Sequence, residues 1–239
     1  MGIDLIRVHA QHNDVAVLTY EPRRPRNVSI VAGHGYSSSK HNLDLLCYFL
    51  SAQGFRVYNL DFPGHKLGAS GGELRGIEDC VDAMNAVVAR AREDADVSLY
   101  TLGHSMGAMT ALFVAAADSS IAGAVSIATG YGWSPAVSSL LAAASTDFRS
   151  SYVDGVELPV LFADAQAWYA RLLPQLAGRP VLYIAAARDA MVSLSTVREL
   201  YDRAPEPKSF VTIESDHTYA GEHAKGEVLQ WLNHRHPRA

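Results

Sequence analysis

Cysteine is scarce in this chain, and an excess of positive charge is missing. Only two cysteines occur in the 239 residues, Cys47 and Cys80, and both lie among apolar residues of predicted helices. Such cysteines usually act as small buried side chains, so a disulfide framework is not expected. The 20 basic and 25 acidic residues give a formal net charge of -5. Nucleic-acid binding needs a broad positive field, so no nucleic-acid partner is expected.

The sequence also lacks a hydrophobic run long enough to span a bilayer, so no membrane span is expected. Its first residues include Asp4 and Arg7 and show no uninterrupted apolar stretch typical of a signal peptide. The expected location is therefore cytoplasmic. Hydrophobic residues make up 49% of the chain, which is enough to fill a core, and we expect residues 1–239 to form a single domain.

Apolar runs alternate with helix-spaced segments along most of the chain. This alternation predicts an α/β fold with a mostly parallel central sheet and helices on both faces. The predicted strands cover residues 3–9, 15–20, 28–32, 55–61, 97–102, 121–128, 180–187 and 209–213. The predicted helices cover residues 43–54, 76–92, 106–117, 193–203 and 220–233.

One segment, about residues 131–179, interrupts the alternation of strands and helices. It contains a stretch rich in serine and alanine and then a helix-spaced set of apolar residues, but no strand comparable to the others. We interpret it as a small cap-like insertion folded over the edge of the sheet. Its apolar side chains predict a substrate pocket that includes Trp133, Phe162 and Trp168, although packing against the body explains most of them individually.

A Gly-x-Ser-x-Gly motif covers residues 103–107, where predicted strand 97–102 ends and helix 106–117 begins. A sharp turn in this context strains the central serine and exposes its hydroxyl at the carboxyl end of the sheet. The start of the helix favours negative charge that develops nearby. The motif therefore predicts Ser105 as a nucleophile. We expect His104 to pack beside the sheet, because the residue before the nucleophile should point away from the reacting centre.

The motif and the order of strands and helices resemble those of the α/β-hydrolase superfamily. The loop at residues 59–65, Asn-Leu-Asp-Phe-Pro-Gly-His, is similar to the Asp-x-x-Gly-His loop of its compact esterase, lipase-like and serine-aminopeptidase-like members. The resemblance implies an α/β-hydrolase fold with the catalytic order serine, acid, histidine. It also implies an oxyanion hole formed by the backbone N–H groups of Tyr36 and Met106.

His217 is the expected general base, because it follows the last predicted strand in a loop, as the family order requires. His223 is the alternative, but it falls in the terminal helix. Asp189 is the expected acid, since it follows the uninterrupted apolar strand 180–187. An acid from a different strand remains open, with Asp154, Asp164 and Asp216 as the carboxylates considered.

The sequence shows no cofactor or metal motif. There is no His-Glu-x-x-His pattern and no paired cysteines, and the glycine-rich residues 68–72 lack the Lys-Ser/Thr of a phosphate loop. We therefore expect catalysis without a cofactor and without a metal ion. The expected partner is a small-molecule ester or acyl substrate, and the sequence leaves a homodimer open.

Three functions fit these residues. The first is a serine hydrolase that cleaves carboxylic esters through an acyl-enzyme, a carboxylesterase. The second uses the same triad as a thioesterase, lactonase, acyltransferase or aminopeptidase. An aminopeptidase would need carboxylates in the cap, for which the candidates are Asp147, Asp154, Glu157 and Asp164. The third is a ligand receptor that retains the fold without turnover, because a fold alone does not fix function.

Overall fold

The computed structural model describes residues 1–94, 98–132 and 150–238. These residues form one eight-stranded sheet. In chain order its strands are β1 (Gly2–His9), β2 (Asp14–Glu21), β3 (Val28–Gly33), β4 (Arg56–Leu60), β5 (Ser98–His104), β6 (Gly123–Ile127), β7 (Val181–Ala186) and β8 (Lys208–Ile213). Across the sheet the order is β1-β2-β4-β3-β5-β6-β7-β8.

Strands β3 to β8 run parallel, and only the pairs β1 with β2 and β2 with β4 are antiparallel. Every residue of β3, β6 and β7 is buried. A parallel strand is covered on both faces, which explains why these segments are continuous apolar runs in the sequence. The predicted mostly parallel α/β sheet, with helices on both faces, is confirmed.

The helices follow the predicted alternation with strands. They are α1 (Asp44–Ala52), α2 (Ile77–Glu93), α3 (Met106–Ala117), α4 (Leu158–Leu161), α5 (Ala165–Leu172), α6 (Leu194–Arg203), α7 (Ala220–His223) and α8 (Lys225–Arg235), with short 3-10 turns at Lys40–Leu43 and Leu173–Leu176. The predicted helix 220–233 is thus divided in two at Ala224. In the described part of the chain, no helix is long and apolar enough to cross a lipid bilayer.

Two hydrophobic cores lie on opposite faces of the sheet, as the alternation of side chains along β3 illustrates. Ile30 belongs to the core that includes Leu46 of α1 and Leu232 of α8. Val31, the next residue, belongs to the core that includes Met84 of α2 and Leu112 of α3. Successive strand residues point to opposite faces, so one strand contributes to both cores.

The described part of the insertion, residues 150–179, contacts helix α3 and the loop after β4. Its helix α5 packs on α3, where Trp168 stacks on Phe113 with ring centroids 5.2 Å apart. The segment before α4 pairs with the loop after β4 through bridges between His65 and Val153 and between Leu74 and Gly155. The insertion connects β6 to β7, which are neighbours in the sheet.

Candidate active site

Ser105 occupies the tight turn between β5 and α3. Its backbone angles are φ 55° and ψ −117°, in a region that side chains other than glycine rarely adopt. Its N–H donates to the carbonyl oxygen of Ile127 at 2.8 Å, which ties the turn to β6. Backbone strain held in place by the surrounding structure often marks a functional residue.

The two glycines of the motif allow this turn to form. A Cβ at Gly103 would lie 2.1 Å from the backbone of Gly107. A Cβ at Gly107 would lie 2.1 Å from the carbonyl oxygen of Gly33, at the end of β3. Atoms cannot approach so closely, so α3 contacts both β5 and β3 only because these side chains are absent.

Three side chains from separate loops form a continuous hydrogen-bonded chain. The ring of His217 bonds through Nδ1 to Asp189 Oδ2 at 2.7 Å. On its other side, Nε2 lies 3.1 Å from Ser105 Oγ. A neutral ring that donates from Nδ1 to the carboxylate leaves Nε2 free to accept the serine proton. The structure therefore brings the predicted nucleophile, base and acid together at hydrogen-bond distance.

Asp189 is held in one orientation by the turn that follows it. Its carboxylate is 1% exposed. Oδ1 accepts the backbone N–H groups of Met191 and Val192, both at 2.8 Å, while Oδ2 faces His217. Because both oxygens have fixed partners, the carboxylate can orient the imidazole ring.

The residues considered as alternatives to His217 and Asp189 lie elsewhere or have other partners. The Nδ1 atom of His223 lies 2.9 Å from Ser215 Oγ. Asp154 pairs with Lys66 at 2.9 Å, and Asp164 is exposed. Asp216 accepts a backbone N–H from Tyr219.

The two backbone groups proposed for the oxyanion hole lie beside Ser105. Met106 is the first residue of α3, where a backbone N–H has no acceptor within the helix. Tyr36 lines the same cavity as Ser105, and a Cβ at the preceding Gly35 would be 3.3 Å from Ser105 Cβ. The hydroxyl of Tyr36 donates to the carbonyl oxygen of Val156 at 3.0 Å, which connects this loop to the insertion.

A buried ion pair, which the sequence analysis missed, supports the loop that carries Tyr36. Asp61 is fully buried and accepts both the Lys40 ammonium at 2.5 Å and the Lys40 backbone N–H at 2.7 Å. It also accepts the N–H of Ala69 at 2.7 Å. Burial alone would raise the pKa of Asp61, but these hydrogen bonds outweigh it and hold the pKa below its ordinary value.

His34 fixes the start of the same loop. Nδ1 donates to the Gly35 carbonyl oxygen at 2.7 Å, and Nε2 accepts the N–H of Phe62 at 2.9 Å. This pattern requires a neutral ring with one defined tautomer. Complete burial, with a smaller contribution from neighbouring His65, lowers the pKa of His34 to about 3.

His104 does not pack beside the sheet as the sequence suggested. Its Nε2–H donates to the backbone carbonyl oxygen of His217 at 2.8 Å, and the two rings lie 4.8 Å apart. The side chain also lines the cavity above Ser105. The loop that carries His217 approaches the turn closely enough to contact His104, a contact between distant segments that local sequence patterns do not reveal.

A cavity of about 190 Å³ opens above Ser105 and His217. Its described lining comes from six parts of the chain: the loop after β3, the turn around Ser105, the insertion, and the three loops after β6, β7 and β8. The lining residues are Gly35, Tyr36, Ser37, Ser38, Asn42, His104, Ser105, Thr129, Gly130, Gly132, Leu158, Phe162, Ala165, Met191, Val192, His217 and Thr218.

The three residues expected to contact substrate differ in position. Phe162 lines the cavity. Trp168 is not part of the described lining, because its ring stacks on Phe113 and Arg171 lies over it at 4.9 Å. Its large apolar ring fills the interface with α3, which replaces the interpretation of Trp168 as a substrate contact. Trp133 lies outside the described residues.

Metal ligands are not clustered in the ranges 1–94, 98–132 and 150–238, where no group of three or more His, Cys, Asp or Glu side chains could hold an ion. The chemistry available at the site is that of a hydrogen-bonded serine, imidazole and carboxylate beside a cavity. Such an arrangement can activate a hydroxyl for attack on a carbonyl carbon.

The sequence profile of the family described as "Serine aminopeptidase, S33" matches residues 24–167, more than half of the chain. The chain belongs to this α/β-hydrolase family. The matched range includes Ser105, Tyr36 and Met106 and ends before Asp189 and His217. No curated protein sequence is significantly similar to this α/β hydrolase.

Several solved structures share the fold of this α/β hydrolase. Est1E from Butyrivibrio proteoclasticus, solved with ferulic acid bound, has a TM-score of 0.74 and 18% identity, over 96% of this chain and 98% of that chain. The Pyrococcus furiosus esterase Pf2001 has a TM-score of 0.75 and 16% identity, over 98% and 90%. An alpha-beta serine hydrolase homologue from Coxiella burnetii has a TM-score of 0.70 and 17% identity, over 98% of each chain. At these identities the likeness shows the fold.

Proposed function

We propose that this α/β hydrolase is a carboxylesterase that works through an acyl-enzyme on Ser105. The observation that carries the proposal is the chain of hydrogen bonds from Asp189 through His217 to Ser105, at 2.7 and 3.1 Å. This chain ends at a nucleophile that lines a cavity. Membership of a hydrolase family and the esterases among the structural neighbours support the same reaction.

Acylation begins when Ser105 Oγ attacks the ester carbonyl carbon and its proton moves to His217 Nε2. The carbonyl oxygen becomes an oxyanion, which the N–H groups of Tyr36 and Met106 stabilise. Removing one donor from an oxyanion hole commonly lowers the rate by about 100- to 1,000-fold. The bond to the leaving oxygen then breaks, and that oxygen takes the proton from Nε2.

Deacylation repeats the same steps with water. His217 accepts a proton from the water as it attacks the acyl carbon, and the second oxyanion occupies the same hole. When the bond to Ser105 Oγ breaks, His217 returns the proton to the serine. Asp189 stays ionised throughout and stabilises the imidazolium that forms in each half of the reaction.

The charge of the cavity favours an ester over a peptide with a free amino terminus. An aminopeptidase needs a carboxylate to hold the substrate ammonium group. Among the described lining residues there is no Asp, Glu, Lys or Arg. Of the four candidate carboxylates, Asp154 pairs with Lys66, Asp164 and Glu157 are exposed, and Asp147 lies outside the described residues. Glu157 is near enough to Tyr36 for its charge to raise the pKa of that hydroxyl, so it is the carboxylate that an aminopeptidase would use.

An aminopeptidase is the second candidate, because the matched family takes its description from one. The test is to assay the wild type and Ser105→Ala on p-nitrophenyl esters of increasing acyl length, on an acyl thioester and on an aminoacyl anilide. The proposal predicts turnover of the esters, with a loss of at least about 10⁴-fold in the variant. Preferential turnover of the anilide would favour the aminopeptidase instead.

A further inference from the structure

The loop after β3 has a strained backbone next to Tyr36. Ser37 has a φ of 56°, in the left-handed region that residues other than glycine rarely adopt. Such a conformation persists only where surrounding contacts hold it. His34 fixes the start of the loop, and the pair of Lys40 and Asp61 fixes its end. Tyr36 lies between these two anchors and carries the N–H that the proposed reaction directs at the oxyanion.

The side chain of Tyr36 supplies a third anchor, which lies on the insertion. Its hydroxyl donates to the carbonyl oxygen of Val156 at 3.0 Å. Its ring packs edge-on against His65, with ring centroids 5.8 Å apart. Burial raises the pKa of this hydroxyl above the value of about 10 that is usual for tyrosine. The phenol therefore keeps its proton near neutral pH and can donate throughout an assay.

The carbonyl group that accepts this hydrogen bond is itself held against the body of the protein. The N–H of Val156 donates to the carbonyl oxygen of Leu74 at 2.7 Å, and the N–H of Leu74 donates to the carbonyl oxygen of Asp154 at 2.8 Å. The N–H of Asp154 donates to the carbonyl oxygen of Gly64, also at 2.8 Å. The insertion backbone is thus fixed to the loop after β4 at the point where Tyr36 binds it.

The two N–H groups assigned to the oxyanion hole are held in different ways. Met106 is the first residue of α3, so the helix fixes its N–H. The N–H of Tyr36 belongs to a short turn, and its direction depends on what holds that turn.

We propose that the side chain of Tyr36 is a positioning group, which uses the insertion to hold the Tyr36 N–H in the oxyanion hole. The proposal rests on the proposed esterase function. It gives residues 154–156 of the insertion a role in stabilising the transition state, separate from any contact with the substrate.

The first test is Tyr36→Phe, which removes the hydroxyl and retains the ring that packs on His65. On p-nitrophenyl butyrate kcat is expected to fall by about tenfold, the effect of one hydrogen bond, with KM within about twofold of wild type. Propyl trifluoromethyl ketone forms an adduct with Ser105 that places an oxyanion in the hole, so it should bind about tenfold more weakly as well. A hydroxyl that only stabilised the fold would not change this affinity.

The matched control is Tyr58→Phe on β4. It removes another tyrosine hydrogen bond, to Asp94 Oδ2 at 2.7 Å, away from the site. This variant should keep the kcat and the ketone affinity of wild type.

Gly155→Ala tests the same connection from the side of the insertion. A Cβ at Gly155 would lie 2.0 Å from the carbonyl oxygen of Leu74, and its φ of 134° disfavours any side chain, so the substitution displaces the Val156 carbonyl. We expect it to lower kcat in the wild-type background. In the Tyr36→Phe background it should lower kcat little further, because both changes break one connection and their effects are not additive.

The outcomes separate this proposal from the esterase function. Equal kcat and equal ketone affinity in Tyr36→Phe and wild type would overturn the positioning role and leave the esterase function intact. A lower kcat with unchanged ketone affinity, or additive losses in the double variant, would also overturn it. If wild type neither cleaves p-nitrophenyl butyrate nor binds the ketone, the esterase function fails and the positioning role fails with it.

Discussion

His104 donates a hydrogen bond from Nε2 to the backbone carbonyl oxygen of His217 at 2.8 Å. The residue before the nucleophile thus holds the loop that carries the proposed general base. The turn sets the position of Ser105 directly and contributes to the position of His217 through this contact. Both partners of the 3.1 Å contact between Ser105 Oγ and His217 Nε2 therefore depend on residues 104–105.

Removal of this contact should slow catalysis without weakening substrate binding. We expect His104→Ala to lower kcat by about tenfold, the contribution of a neutral hydrogen bond, with KM within about twofold of wild type. His104→Gln retains an N–H donor and should recover part of the rate. Steady-state kinetics on p-nitrophenyl butyrate measures both effects, with exposed His234→Ala as the control. Equal kcat in His104→Ala and wild type would rule out the positioning role.

The close approach between Gly107 and Gly33 predicts that even one methyl group will destabilise the fold. A Cβ at Gly107 would stand 2.1 Å from the Gly33 carbonyl oxygen, so we expect Gly107→Ala to lower the free energy of unfolding by about 1–3 kcal/mol or more. Gly226→Ala is the matched control: its Cβ meets nothing within 4 Å, and helix propensity favours alanine by up to about 1 kcal/mol. Urea unfolding measures both changes, and similar stability of the two variants would contradict the steric argument.

The ion pair between Lys40 and Asp61 predicts a large loss of stability when Lys40 alone is replaced by an uncharged residue. Lys40 is 4% exposed and Asp61 fully buried, so Lys40→Met leaves a buried carboxylate uncompensated and should cost about 3–5 kcal/mol. Lys66→Met breaks the exposed pair with Asp154 and should cost less than about 1 kcal/mol. The double variant Lys40→Met/Asp61→Asn should recover part of the stability, because no charge is then stranded and the amide oxygen still accepts one of the two backbone N–H groups that Asp61 binds. No recovery in urea unfolding would argue against an uncompensated charge as the cause.

The buried histidines predict a loss of stability on mild acidification. The pKa of His34 is about 3 in the fold, mainly because of burial, whereas an unperturbed imidazole has a pKa of about 6.5. Between these values the unfolded chain binds the additional proton. The free energy of unfolding therefore falls as pH drops below about 6.5, by up to about 1.4 kcal/mol per unit for one such histidine.

His65 also makes the fold less stable as the pH falls, since burial lowers its pKa as well. Asp61 and Lys40 are the charged groups beside His34, and the lowered pKa of Asp61 reduces stability only at more acidic pH. Urea unfolding between pH 5 and pH 7 should therefore report on the histidines. His65→Asn should reduce the slope of the free energy of unfolding against pH. His9 is exposed on β1, so His9→Gln should leave that slope unchanged. A flat wild-type profile over this range would contradict the argument.

The sequence predicted the parts of the fold and site that depend on local patterns. Buried parallel strands appear as continuous apolar runs, and the glycine spacing around Ser105 indicates a turn between strand and helix. The contacts of His104 and Lys40 could not be predicted in this way. They form between segments 113 and 21 residues apart, and no local pattern records which distant group a side chain reaches.

The position of Trp168 outside the cavity lining could not be predicted for the same reason, because it depends on a contact between distant segments. An apolar aromatic residue in an insertion fits either a pocket or an interface. The choice depends on which face of α5 meets α3, where Phe113 stacks on the indole. Phe162 comes only six residues earlier, yet it lines the cavity.

The most direct test of the account is to trap the acyl group on Ser105. Wild type is mixed with p-nitrophenyl butyrate and quenched in acid within the first turnover, and its peptides are analysed by mass spectrometry. The account predicts one butyryl group on the peptide that contains Ser105, with none on the same peptide of Ser105→Ala. An unmodified peptide from wild type, combined with undiminished turnover by Ser105→Ala, would contradict the role of Ser105 as nucleophile.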